Sequence, residues 1–170
     1  MATLVTETKI AKSTNHFKHP ILGAAEQQET TELLQQNLAT LIDLALLLKQ
    51  AHWNVIGVHF RAVHLQLDEI VDTVHEASDA TAERMSTLGV SPDGRSTTVS
   101  QTTSLENYPE GFQKDNQTIS LVADALKATI DKLRDAITRL DDLDPISQDM
   151  CIGISSSLEK HLWMVQAQGA

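Results

Sequence analysis

The stretch from residue 64 to residue 83 constrains the fold more than any other part of the chain. Ionisable side chains recur along it at steps of three or four residues, namely His64, Asp68, Asp72, His75, Asp79 and Glu83. That spacing predicts an α-helix that presents all six on one face. Apolar residues repeat at the same period on the opposite face, namely Val63, Leu67, Ile70, Val71, Val74 and Ala77. A helix with these two faces needs a packing partner for each, and we expect the rest of the chain to provide them.

Composition favours one helical domain without a membrane span. The chain has 170 residues, 41% of them hydrophobic, which is enough for one well-filled core. Aromatic residues make up only 4%, a balance that favours helix over sheet. No apolar run is long enough to cross a bilayer, and residues 1–20 lack the apolar core of a secretory signal. The single cysteine, Cys151, and a net charge of −10 predict a cytoplasmic protein that attracts cations rather than nucleic acid.

Hydrophobic periodicity predicts four long helices. They cover residues 26–55, 59–88, 115–143 and 144–168. Gly57 is the expected C′ residue of the first helix, and Gly89 with Pro92 ends the second. Asp144 and Pro145 are the expected N-cap and N1 residues of the fourth. Residues 90–114 are polar and rich in turns, so we interpret them as a crossover with a short helical turn near residues 103–107. This order predicts an all-α four-helix bundle with a long crossover between helices 2 and 3.

Residues 1–24 show no hydrophobic periodicity and predict a flexible N-terminal arm, followed by the bundle domain over residues 25–170. Lys9, Lys12 and Lys18 make the arm mildly basic. Three interpretations remain open. The arm is a solvated tail, a weak anchor to DNA phosphates, or the carrier of a minor metal site formed by His16 and His19.

His52, at the end of the first helix, joins four residues of the second as a candidate metal ligand. The set is His52, His64, Asp68, Asp79 and Glu83. Imidazole and carboxylate suit iron, zinc or manganese. The alternative is a solvated acidic stripe with incidental histidines. Asp68 and Asp79 are eleven residues apart, about 16 Å along a helix, whereas metal–ligand bonds are about 2 Å long. One chain therefore cannot close all five ligands around one site.

Two copies of this helix, packed antiparallel across a two-fold axis, resolve the difficulty. The His64 and Asp68 end of one copy then faces the Asp79 and Glu83 end of the other. The midpoint of the pattern places the axis near Thr73 and Val74, with the two equivalent sites about 22 Å apart. His52 belongs to the His64 end because the connection between the two helices is short.

The spacing H-x11-H-x3-D-x10-D-x3-E resembles the motif of the Dps family, the small ferritin-like proteins of bacteria and archaea. The five candidate ligands fill it, and Trp53–Asn54, "AER" and "LG" agree beside them. Weaker similarity continues through "GVSPDGR", "YPEG" and "LEKHLWM". The resemblance implies a ferritin-like bundle assembled into a hollow dodecamer with ferroxidase sites at its two-fold interfaces. His52, His64 and Asp68 would come from one subunit, and Asp79 and Glu83 from its mate.

The resemblance also implies an activity. Fe(II) is oxidised, preferably by hydrogen peroxide, and ferric mineral is stored in the shell, which protects the cell from oxidative damage. Two irons held together give two electrons to one peroxide and so avoid releasing hydroxyl radical. Trp53 is then either a sacrificial electron donor or a packing residue. The same ligands accept zinc or manganese, which leaves open a shell without redox work.

Two further expectations follow from the resemblance. Some Dps proteins condense DNA in the nucleoid, so a nucleoid-associated DNA-binding protein with secondary metal binding is the alternative function. The acidic turn that contains Asp141, Asp142, Asp144 and Asp149 resembles the lining of three-fold pores. Asp144 and Asp149 either funnel Fe(II) there or serve as a helix cap and a surface residue.

Overall fold

Four long helices, one short helix and two very short strands make up the part of the chain that the computed structural model describes, residues 17–169. In chain order the elements are α1 (Ala24–Asn54), β1 (Val55–Ile56), α2 (Phe60–Thr87), α3 (Ser96–Thr102), β2 (Gln113–Lys114), α4 (Asp115–Leu140) and α5 (Pro145–Gln166). None of the described helices combines the length and the apolar character needed to cross a membrane.

The long helices form two antiparallel pairs, α1 with α2 and α4 with α5. The Gln27 side chain, near the start of α1, donates a hydrogen bond to the Leu88 carbonyl, just past the end of α2. At the other end of the pair, His52 and His64 exchange hydrogen bonds. The predicted all-α bundle is therefore confirmed.

The crossover is long because the helices that it joins run in the same direction. Strand β1 pairs in parallel with β2, so the start of α4 lies beside the end of α1. At the opposite end of the bundle, Arg139 of α4 forms an ion pair with Glu29 of α1. Helix α4 is thus antiparallel to α1 and parallel to α2. Residues 88–112 must return along the whole bundle before α4 begins.

Apolar rows from all four long helices meet in one core. All six apolar residues predicted for the inner face of α2 are buried. Fully buried leucines line the other helices, among them Leu34, Leu41, Leu44, Leu48, Leu126, Leu133, Leu140 and Leu158. Burial of each such side chain stabilises the fold by about 1.5–3 kcal/mol. Hydrophobic packing, rather than helix propensity, therefore holds the bundle together.

Two of the helix ends follow the predicted chemistry. The Asp144 side chain caps α5 by accepting a hydrogen bond from the Ser147 backbone N–H at 3.3 Å, and Pro145 occupies the first turn. Gly89 has a positive φ of 84° and ends α2. There the Val90 N–H reaches back to the Met85 carbonyl at 3.0 Å, which satisfies a carbonyl that the helix leaves free.

Other boundaries differ from the prediction. Helix α1 ends at Asn54, and its C-cap residue, Val55, is extended. Gly57 is therefore not its C′ residue. The short crossover helix α3 lies before residues 103–107, because the Asp93 carboxylate accepts hydrogen bonds from the Arg95 N–H and the Thr98 hydroxyl and organises that turn. Helices α4 and α5 end at Leu140 and Gln166, a few residues earlier than predicted.

Candidate metal centre

Two histidines from neighbouring helices are locked together at one end of the bundle. His52 lies in the last turn of α1 and His64 in the second turn of α2. Nδ1 of each ring lies 3.0 Å from the backbone carbonyl oxygen of the other residue. The rings stack with their centroids 3.6 Å apart. Each histidine ring is therefore held in place by its hydrogen bond to the carbonyl of the other residue and by stacking against the other ring.

The short connection between α1 and α2 is anchored to the start of α4. The β1–β2 pairing fixes Val55 and Ile56. The His59 backbone N–H then donates to the Asp115 carboxylate at 2.7 Å. Gly57 lies against Asp115 with a φ of 143°, so a side chain there would both clash and strain the backbone. This is the structural role of Gly57, in place of the predicted helix cap.

The histidine pair leaves two nitrogen lone pairs available to a cation. A carbonyl oxygen can only accept, so Nδ1 of each ring carries the proton and Nε2 carries the lone pair. Burial lowers the pKa of His52, against the opposing effects of the His64 carbonyl and Asp68, so its ring is neutral near pH 7. Backbone hydrogen bonds that fix the tautomer in this way are typical of metal-binding histidines.

Asp68, one turn after His64, completes the cluster. One of its carboxylate oxygens lies 3.2 Å from Nδ1 of His52, and donor atoms of His52, His64 and Asp68 all lie within 4.8 Å of one another. The same oxygen accepts a hydrogen bond from the Lys49 ammonium at 2.9 Å. The hydrogen bond from Lys49 lowers the pKa of Asp68. Neutral imidazoles and an ionised carboxylate are a donor set that fits a divalent iron ion.

Sequence reasoning missed Lys49 although a signal was present. Lys49 lies three residues before His52 and therefore on nearly the same face of α1. Trp53 follows His52, and 65% of its surface is exposed. Its ring centroid lies 5.8 Å from the Lys49 ammonium. Both roles predicted for Trp53, electron donor and packing residue, remain predictions.

The acidic end of α2 is built differently. Asp79 and Glu83 are exposed, and among the described residues neither carboxylate has a hydrogen-bond or ion-pair partner. The structure does not group them with His52, His64 and Asp68. At the midpoint of the helix Val74 is buried in the core, and the Thr73 hydroxyl contacts Nε2 of His161 on α5 at 2.9 Å. The exposed surface at that level is instead formed by Asp72, His75 and Glu76.

The sequence and the fold of this chain are similar to those of known proteins. The ferritin-like domain model matches residues 31–169. The DNA protection during starvation protein of Mycolicibacterium smegmatis is 37% identical over 153 residues, which cover 89% of this chain and 82% of that protein. The chain belongs to the Dps family.

Solved Dps structures and a further relative are also similar to this chain. The Dps protein of Mycobacterium smegmatis in its tetragonal form has a TM-score of 0.86 at 34% identity, covering 91% of this chain and 94% of that one. Dps from Microbacterium arborescens in the high iron form has a TM-score of 0.80 at 32% identity, covering 84% and 93%. The fine tangled pili major subunit of Haemophilus ducreyi is 40% identical over 148 residues, which cover 87% of this chain and 78% of that protein.

The acidic turn of this Dps-family chain contains one buried carboxylate and three exposed ones. Asp144 is 2% exposed, and its carboxylate contacts the Arg84 guanidinium at 2.7 Å as well as the Ser147 hydroxyl. Burial raises its pKa, but the hydrogen bonds from Arg84 and Ser147 outweigh burial, so the net shift is downward. The helix-cap role predicted for Asp144 is therefore present. Asp141, Asp142 and Asp149 are exposed.

Proposed function

We propose that this protein is a Dps-type ferroxidase and iron-storage protein. It oxidises Fe(II), preferably with hydrogen peroxide, at sites shared by two subunits, and it stores ferric mineral inside a hollow dodecameric shell. One observation carries the proposal. Three convergent donors lie at one end of α2, and at its other end lie two exposed carboxylates that have no partner among residues 17–169. The Microbacterium arborescens relative, solved in a high iron form, supports iron as the metal.

The residues of the proposed site divide the work between two subunits. His52 and His64 present Nε2 to Fe(II), and Asp68 exchanges its contact with Lys49 for one with the metal. Asp79 and Glu83 of the partner subunit supply the remaining negative charge. Trp53, exposed beside His52, is placed to donate an electron when the iron supply falls short. Zinc or manganese, which accept the same donors, would occupy the site without redox chemistry.

Holding two Fe(II) ions together sets the outcome of the reaction. Two Fe(II) ions each lose one electron, the O–O bond of one peroxide breaks, and two protons complete two water molecules. Both electrons arrive at one peroxide, so no hydroxyl radical is released. The stored iron is thereby withdrawn from reactions that damage the cell. We place this chemistry in the cytoplasm, where a lone cysteine such as Cys151 is expected to stay reduced.

DNA binding is the second candidate function, favoured by the names of several relatives and by the mildly basic arm. Lys9, Lys12 and His16 lie outside the described residues, so the predicted arm and its histidine pair remain predictions. Three lysines give a shallow dependence on salt, and binding would be strongest at low ionic strength. Gel-shift titration across salt concentrations tests this function, and retention of DNA at physiological salt would favour it.

The decisive experiment for the first function is anaerobic loading with Fe(II) followed by peroxide. Wild-type protein should consume one peroxide for every two Fe(II) ions without detectable hydroxyl radical. The His52→Ala/His64→Ala variant should assemble normally but lose rapid oxidation, because no imidazole donor remains.

A matched control replaces an exposed histidine outside the cluster, in the His59→Ala variant. It should oxidise Fe(II) at the wild-type rate. Full activity in the His52→Ala/His64→Ala variant would remove these residues from the site.

A further inference from the structure

One row of side chains on α1 points along the groove between α1 and α2. Ile42, Leu46, Lys49 and Trp53 follow one another at steps of four, three and four residues, so they share one face of the helix. Lys49 reaches the candidate metal centre through Asp68. Ile42 lines a depression at the other end of the groove. Between and beyond them, Leu46 is 62% exposed and Trp53 65% exposed.

The depression is a largely apolar hollow of about 590 Å³ beside the acidic end of α2. Its apolar lining comes from Leu38 and Ile42 of α1, Ala82 of α2, and Pro92 of the crossover. Asp79 stands on its edge. The subunit therefore has an apolar hollow at one end of the groove, and two exposed apolar side chains, Leu46 and Trp53, follow along the rest of it.

The proposed two-fold axis brings these two features together. Within one subunit α1 and α2 are antiparallel, with His52 beside His64 and Lys49 beside Asp68. Followed back along α1, the same pairing places Leu46 at the level of Ile70 and Val71. An axis that places Asp68 opposite the partner's Asp79 places this level opposite the partner's Glu76 and Ala77. These two positions lie in the part of α2 that lines the depression.

We propose that Leu46 of each subunit seats in the apolar depression of a second copy, beside the partner's Asp79. The inference rests on the two-fold arrangement of the proposed function and identifies what its interface recognises. The same register places Trp53 near the partner's Glu83 and Lys49 near the partner's Asp79. The Asp79 carboxylate is exposed and has no partner in the described part of its own subunit. Opposite charges and complementary apolar surfaces thus meet in one register. Leu46 also forms an apolar wall that excludes water from the acidic half of the metal centre.

The test measures subunit association by sedimentation and by light scattering after size-exclusion chromatography. Leu46→Glu puts a carboxylate into an apolar seat beside Asp79, so two-fold association should weaken by about 100-fold or more, and folded subunits without a two-fold partner should appear. Ile146→Glu is a matched control, since Ile146 is 63% exposed but lies on α5. It should leave the two-fold dimer intact. An unchanged dimer in Leu46→Glu would overturn the proposal.

Moving side-chain volume from position 46 to position 82 distinguishes a loss of the proposed contact from a general loss of folding. Ala82→Leu should fill the depression and Leu46→Ala should empty it, so each variant alone should weaken the dimer. The double variant should regain part of the lost association, because the volume moves from one surface to the other. Additive losses in the double variant would contradict the seat.

The two proposals fail in different ways. A dimeric Leu46→Glu variant that still oxidises Fe(II) would contradict the proposed Leu46 contact and leave the ferroxidase proposal intact. If the wild-type protein oxidises no Fe(II) but the substitutions at positions 46 and 82 are coupled, the contact is supported and the ferroxidase proposal is contradicted.

Discussion

The two ends of α2 carry similar ionisable side chains in opposite environments. Near its start, His64 and Asp68 are held by contacts with His52 and Lys49 of α1. Near its end, Asp79 and Glu83 are exposed and have no hydrogen-bond partner among the described residues. One end is thus pre-organised by its own subunit, whereas the other remains hydrated.

The difference shows how a single helix can provide both halves of a shared site. An isologous contact always pairs unlike ends of an antiparallel helix, so each site receives one ordered half and one hydrated half. The ordered half keeps His52 neutral and its donors fixed before metal arrives. The hydrated carboxylates avoid the cost of burial until a partner and a cation compensate their charge. In the proposed dimer, neither half alone completes a site.

Mixing two inactive variants is the strongest test of whether each site takes one half from each subunit. Neither His52→Ala/His64→Ala nor Asp79→Ala/Glu83→Ala should oxidise Fe(II) as a homodimer. A mixed dimer carries one intact site and one empty site. Random co-refolding should therefore restore about one quarter of the wild-type rate, measured by peroxide-driven Fe(II) oxidation.

The control for this mixture is each variant refolded with itself, which should remain inactive. A mixture without recovery, in samples where mixed dimers are detected by mass spectrometry, would mean that the two halves do not combine across the subunit interface.

The Arg84–Asp144 pair supports the acidic end of α2, because Arg84 follows Glu83 directly. Asp144→Ala removes the α5 cap and leaves Arg84, which is largely buried, without its counter-charge. The loss in unfolding free energy should be about 3 kcal/mol at pH 7, measured by chemical denaturation. Asp142→Ala, two residues earlier and exposed, should change stability by no more than about 0.5 kcal/mol.

The effect should also depend on pH in a defined direction. The folded-state pKa of Asp144 is lowered, so its stabilisation is complete above the unfolded-state pKa and is lost as the pH falls through the folded-state value. The difference between wild type and Asp144→Asn should stay constant above about pH 5 and shrink in acid. A difference that grows in acid would contradict the assigned role of the pair.

Features with a period of 3.6 residues were predictable from the sequence, and isolated tertiary contacts were not. The inner row of α2, from Val63 to Ala77, follows from spacing alone because a helical face needs only one chain segment. So does the separation of Asp68 from Asp79, since it depends only on helical rise. The Asp144 cap was predictable because its partner is Ser147, three residues away.

Contacts between distant segments lack such a local signal. Arg84 and Asp144 lie sixty residues apart. Strands β1 and β2 have two residues each, too few for any alternation to be visible. The short crossover helix was misplaced because the Asp93 side chain, rather than hydrophobic periodicity, organises it. Lys49 was not predicted for a different reason, because a pattern of metal ligands does not include lysine.

Replacement of Lys49, at the ordered end of α2, is expected to have the smallest effect on the site. Its ammonium group holds the Asp68 oxygen that the proposed site offers to metal, so it competes with an incoming divalent cation. Both side chains are partly exposed, which keeps the competition weak. Lys49→Gln should raise the affinity for Zn(II) about two- to fivefold, measured by titration calorimetry. Lys127→Gln, which breaks an exposed pair with Asp131 on α4, should leave that affinity unchanged. Weaker Zn(II) binding in Lys49→Gln would mean that the lysine positions Asp68 for the metal rather than competing with it.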